Sequence, residues 1–135
     1  MDKPIFIIFD DDKELRDVFQ DHEDRLQISE AYDILFIRTF RAFMDWITSN
    51  PLPKRISFDY QLGNPPFVQM HYDQYELYSL KELSDYSLLT GLEVVRWFID
   101  YCEANNLKFP DYNCHSWNSF GKMRIFELIK SRINN

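Results

Sequence analysis

No apolar run in this chain is long enough to be a signal peptide or a membrane span. After Met1-Asp2-Lys3 comes only the short run Ile5 to Phe9, which meets three aspartates, whereas a spanning helix needs about 20 apolar residues. Cysteine is scarce as well. Cys102 and Cys114 show neither CxxC spacing nor a His/Cys cluster, so both are expected to be reduced, buried and inert. Together these absences predict a soluble, cytoplasmic protein that has no contact with a membrane. Positive charge is in deficit: 15 Lys and Arg face 22 Asp and Glu, for a net charge of −7. That excludes a protein that coats duplex DNA, yet it leaves room for a local basic pocket that binds one small phosphorylated ligand. The chain also lacks internal repeats and any long Gly/Ser linker, so residues 1–135 are expected to form one compact domain. There is no P-loop, no GxGxxG after the first strand, no HExxH and no GxSxG.

Aromatic residues are abundant, with 12 Phe and 8 Tyr, and they supply ample apolar area for a packed core. Pro4 to Phe9 is an unbroken apolar run of the kind found in a strand covered on both faces. Asp10-Asp11-Asp12 ends it, and one of these aspartates can cap a helix through Leu15, Val18, Phe19 and Leu26 that stops before Tyr32. Ile34 to Ile37 reads as a second strand. Arg38-Thr39 then opens a helix with Phe40, Phe43, Met44 and Ile47 on one face, stopped by Asn50-Pro51-Leu52-Pro53. Arg55 to Phe58 is a third strand that leads into Asp59-Tyr60-Gln61-Leu62-Gly63. Residues 64–89, rich in tyrosine and poor in apolar periodicity, read as an irregular insertion with one short helix near Leu77 to Leu83. Thr90-Gly91 opens a helix through about Glu103, with Val94, Val95, Phe98, Ile99 and Cys102 inward. Asp111 to Cys114 is a fourth strand, and Phe120 to Ile133 is a last helix through Met123, Phe126, Ile129 and Ile133. Strand and helix alternate four times, which predicts a small doubly wound α/β domain. It is receiver- or flavodoxin-like, with four parallel strands in the order 2-1-3-4, and it stops before a fifth strand.

In such a sheet, ligands bind at the carboxyl ends of the strands. Those ends carry Asp10-Asp11-Asp12, Arg38-Thr39, Asp59 and His115-Ser116. Each residue also has a plain structural reading. The aspartates can serve as caps and dipole partners, or as oxygen ligands for Mg²⁺ or another divalent cation. Arg38 can solvate a strand end, His115 can be a structural histidine, and Thr90-Gly91 can simply start a helix.

The stretches FDDD (9–12), RTFRAF (38–43), SFDYQLG (57–63), TGLEVVRWF (90–98) and CHSWNSFGKMR (114–124) resemble the cyclic-phosphate processing receiver-like domains. The last of these, with His115, Ser116, Asn118 and Gly121, is the most specific. The resemblance covers the chain except residues 64–89 and an expanded first helix region. It implies a receiver-like domain that has exchanged phosphorelay for binding or hydrolysis of a cyclic-phosphate nucleotide or an RNA cyclic-phosphate end, in nucleotide signalling or in a bacterial or phage conflict system. By the same resemblance, Asp10 and Asp11 form the acidic, metal-holding pair, Arg38 is a phosphate contact and Asp59 is the first acid of the turn. Thr90 and Gly91 make a ligand-facing helix start. His115, Ser116 and Asn118 form the other half of the site, with Lys122 or Arg124 as phosphate partners.

This chain departs from the family in the middle motif, where Asp59-Tyr60-Gln61 stands in place of Asp-His-Asp. Hydrolysis by water needs both a base and an acid, and a tyrosine with an ordinary pKa of about 10 is a poor base at pH 7. Neither His22 nor His71 is positioned by any pattern to replace the missing histidine. Three readings therefore stay open: a cyclic-phosphate phosphodiesterase with catalytic His115, Asp59 and Ser116, an inactive protein that binds or sequesters a cyclic nucleotide, and a receiver-derived interaction domain. In the last, residues 64–89 meet a protein partner or a second copy of the chain.

Overall fold

The computed structural model describes residues 3–10, 13–60, 91–116 and 119–133. Its elements are β1 (Ile5–Phe9), α1 (Leu15–Val18), α2 (His22–Ala31), β2 (Asp33–Ile37), α3 (Phe40–Ser49), β3 (Arg55–Phe58), α4 (Gly91–Ala104), β4 (Asp111–Cys114) and α5 (Ser119–Ile133). The four strands form one parallel sheet in the order β2-β1-β3-β4, the arrangement read from the sequence. Register decides where the strands end. Phe9 pairs with both Ile37 and Phe58, and Phe58 pairs with Cys114, so all four strands end at one level. The ladder runs one residue further: the backbone N–H groups of Asp10, Asp59 and His115 donate to Ile37 O (3.1 Å), Phe9 O (3.1 Å) and Phe58 O (3.0 Å). The residue after each of these strands is thereby held as firmly as the strand itself.

Side chains alternate across the pleat. Ile7, Phe9, Ile56 and Phe58 join the buried faces of α3, α4 and α5 in one core. Phe43 sits at its middle, edge-on to Phe9, Phe58, Trp97 and Phe98 with centroids 5.1, 6.4, 6.0 and 5.4 Å away. Phe6, by contrast, packs against Phe19 and Tyr32, and the Arg55 guanidinium lies 4.6 Å from its centroid. Among the described residues, no helix is long and apolar enough to cross a membrane.

Two helices differ from the sequence reading. The first breaks in two. Phe19 adopts an extended conformation, and Asp21 starts α2 by accepting from the N–H groups of Glu23 (2.8 Å) and Asp24 (3.2 Å). Arg25 Nη1 ties the break down through the carbonyls of Phe19 and Gln20, at 2.9 Å each. The break lets Phe19 reach Phe6, and it leaves α2 with no buried residue and Leu26 exposed. In α5 the inward face is Gly121, Ile125 and Ile129, while Met123 is exposed and Phe126 half-buried. The insertion at 64–89, with its expected helix, lies outside the described residues.

Both cysteines are buried thiols. Burial pushes the Cys102 thiol up from about 9 to about 11, with help from the neighbouring Glu103, and raises Cys114 as well. The folded state therefore keeps a proton that the unfolded chain loses, so stability contributed by Cys102 is present below about pH 9 and falls as pH rises toward about 11. Alkylation by iodoacetamide at pH 8, followed by mass spectrometry, is expected to label neither thiol quickly in the native protein and both in denaturant. Fast native labelling would contradict the burial.

Candidate functional site

The common level of the strand ends brings Asp10, Arg38, Asp59 and His115 to one rim. Asp10 is fully buried and Asp59 nearly so. An Asp10 oxygen, Oδ1, accepts from the Lys13 N–H at 2.9 Å, closing the turn after β1, while Oδ2 lies 2.7 Å from His115 Nε2 and 3.8 Å from Lys13 Nζ. The helix α1 starts at Glu14 instead, whose N–H donates to Asp17 Oδ2 at 2.9 Å. On its far side, His115 Nδ1 is 2.8 Å from Ser57 Oγ. A carboxylate can only accept a hydrogen bond. A neutral His115 beside ionised Asp10 thus carries its proton on Nε2, and Ser57 donates to Nδ1.

Arg38 faces backbone. Its Nη1 donates to the carbonyls of Asp10 (3.3 Å) and Lys13 (2.5 Å), and its guanidinium lies 4.7 Å from the Phe36 ring centroid. It thus staples the Asp10–Lys13 segment to β2. Gly91 is buried at the start of α4, where its N–H donates to Tyr60 O at 2.6 Å and any Cβ would overlap the Asp59 carbonyl oxygen. Glycine is required there by close approach. Gly91→Ala is expected to cost about 1–3 kcal/mol or more, because the obstructing atom is backbone and cannot swing away. Urea unfolding would measure this, and an unchanged midpoint would sink the close-packing account.

Gly121 meets the ring of Tyr60 in the same way. Tyr60 is buried, and Arg124 Nη1 reaches its hydroxyl at 3.5 Å. The tyrosine that replaces the family histidine therefore packs into the helix that carries the basic residues. Beside His115 opens a cleft of about 350 Å³. One wall is the α1–α2 turn, Asp17 to Gln20, and the other is the end of β4, Asn113 to Ser116, with Lys122. Its size lies at the low end of small-molecule pockets, about 300–1,000 Å³.

Of the residues expected at the site, the structure brings together Asp10, Asp59 and His115, and it places Ser116 and Lys122 with His115 on the cleft. Asp11, Thr90 and Asn118 lie outside the described residues. The donor atoms of Asp10, Asp59 and His115 all fall within 4.8 Å of one another, a set chemically suited to a divalent cation. Asp59 and His115, which the sequence reading did not assign to metal, thus stand beside Asp10. Sequence reasoning also missed Ser57 and the α1–α2 wall. Ser57 had one legible sign, a lone polar residue within an apolar strand.

A family model described as "Cyclic-phosphate processing Receiver domain" matches residues 5–131. No curated protein and no solved structure matches the chain. The parallel sheet in the order 2-1-3-4, the aligned rim with Asp10, Asp59 and His115, and a match over nearly the whole chain lead to one conclusion: this chain belongs to the cyclic-phosphate processing receiver domain family.

Proposed function

We propose that the domain binds a small cyclic-phosphate ligand, a nucleotide or an RNA end, in the cleft beside His115, in nucleotide signalling or in a bacterial or phage conflict system. The observation that carries this reading is the convergence of His115, Ser116 and Lys122 on a cleft of about 350 Å³ at the carboxyl rim of a parallel sheet, where α/β domains take their ligands. Lys122 supplies a cation and Ser116 a hydroxyl donor for phosphate oxygens. The net charge of −7 weighs against extended polyanions and directs the site toward a single phosphate.

A second reading, binding without turnover, is favoured by one observation. Both ring nitrogens of His115 are already engaged, by Asp10 at 2.7 Å and Ser57 at 2.8 Å, so proton transfer to a ligand requires one of these bonds to open. The experiment is a panel of cyclic mononucleotides and cyclic oligonucleotides, followed by thermal shift and by product chromatography. A shift with product selects the phosphodiesterase, and a shift without product selects the binder. Neither shift nor product across the panel would overturn the cyclic-phosphate reading and leave an interaction domain, with residues 64–89 as the place to seek a partner. Restoring the family turn by Tyr60→His with Gln61→Asp should raise hydrolysis if the scaffold has lost only that motif.

A further inference from the structure

We infer that the cleft beside His115 reads a nucleobase, and that Asp17 and Asn113 select guanine there. The inference rests on the reading of this cleft as the ligand site and deepens it, from a cyclic phosphate of any kind to one carried by a guanine nucleoside.

The two walls of the cleft differ in hydrogen-bonding character. On the α1–α2 wall stands Asp17, whose ionised carboxylate can only accept; its Oδ2 holds the Glu14 N–H at 2.9 Å. Among the described residues no cation pairs with Asp17, and no carboxylate pairs with Lys122 on the other wall. Asn113 lines that other wall, two residues before His115, so both side chains leave the same face of the sheet. Its Oδ1 accepts from the Cys114 N–H at 2.9 Å. Only the oxygen of an amide can accept, so this bond fixes which way the group is turned and leaves the two Nδ2 hydrogens for a ligand.

Guanine matches this pair better than the other bases do. Its Watson–Crick edge sets one acceptor, O6, beside two adjacent donors, N1–H and N2–H. With that edge spanning the cleft, Asn113 Nδ2 donates to O6, and the Asp17 carboxylate accepts from N1–H and N2–H together. An amide reads adenine through its oxygen and nitrogen at once, and here the oxygen is committed to the Cys114 N–H. Cytosine and uracil offer the carboxylate only one donor group each. Val18 and Phe19, half-buried on the Asp17 wall, supply apolar surface for the plane of the base. Lys122 and Ser116 stay with the phosphate. His115 reads no base, because Asp10 and Ser57 engage both of its ring nitrogens.

The test is calorimetry on the full chain with the 2′,3′- and 3′,5′-cyclic monophosphates of guanosine, adenosine, cytidine and uridine, and with guanosine 5′-monophosphate. A guanosine cyclic phosphate is expected to bind about 10- to 100-fold more tightly than its adenosine, cytidine and uridine counterparts, the usual worth of a bidentate base contact. Two near-isosteric variants locate the preference. Asp17→Asn keeps an oxygen for the Glu14 N–H, and Asn113→Asp keeps one for the Cys114 N–H. Each sets a donor against a donor or an acceptor against an acceptor, so the ratio of guanosine to other affinities should fall to near one. That ratio cancels the change in net charge, which acts on every phosphate alike. An unchanged ratio in either variant would overturn the inference. Equal binding of all four bases by the native protein would overturn it too, yet leave the cyclic-phosphate reading standing. Guanosine 5′-monophosphate bound as tightly as the cyclic form, with the preference lost in both variants, would do the reverse. Binding of none of these nucleotides would overturn both.

Discussion

His115→Ala is expected to lower turnover of a cyclic phosphate about 10²- to 10⁴-fold if the native domain hydrolyses it, the usual worth of a general acid or base. His115 is the one histidine at the rim among the described residues; His22 starts α2 on the exposed surface. His115 Nε2 lies 2.7 Å from Asp10 Oδ2 and its Nδ1 2.8 Å from Ser57 Oγ, so two buried side chains fix the ring in place at the rim. If the domain only binds, the same substitution should cost no more than a lost charge-assisted hydrogen bond, about 1.5–3 kcal/mol. Arg38→Ala should then cost as much or more, because it releases the carbonyls of Asp10 and Lys13 and loosens the segment that positions Asp10. Product chromatography and calorimetry on the two variants separate these outcomes. An unchanged rate and unchanged affinity in His115→Ala would remove His115 from the site.

Phe43→Ala should destabilise the fold by about 3–5 kcal/mol, the range for deleting a fully buried ring whose cavity cannot collapse. Collapse is prevented because the neighbours belong to different elements. Phe9 is on β1, Phe58 on β3, and Trp97 and Phe98 on α4, and all meet the Phe43 ring. Leu26→Ala is the matched control. Leu26 is 48% exposed, and its loss should change stability by less than about 0.5 kcal/mol. Urea unfolding of both variants measures the contrast, and comparable losses at the two positions would contradict the packing described.

What the chain alone determined was the order and type of its strands, and with them the rim. Ile5–Phe9 and Arg55–Phe58 are legible because a parallel strand is buried on both faces and must be apolar, and the polar residue after it then marks a carboxyl end. The helix α3 is equally legible, since Phe40, Phe43 and Ile47 recur at helical spacing. Tertiary structure alone decided the rest. Leu15, Val18, Phe19 and Leu26 have an acceptable helical spacing, yet the helix breaks because Phe19 gains more by packing on Phe6 than by continuing a helix with no core beneath it. Met123 looks inward by composition, but Gly121 must face Tyr60, and that contact rotates α5 so that Ile125 and Ile129 point into the core. The joining of Asp10 to His115 across 105 residues, and of His115 to Ser57 across 58, depends on strand register. Register is set by the sum of packing on both faces of the sheet, a long-range quantity that no local run of residues contains.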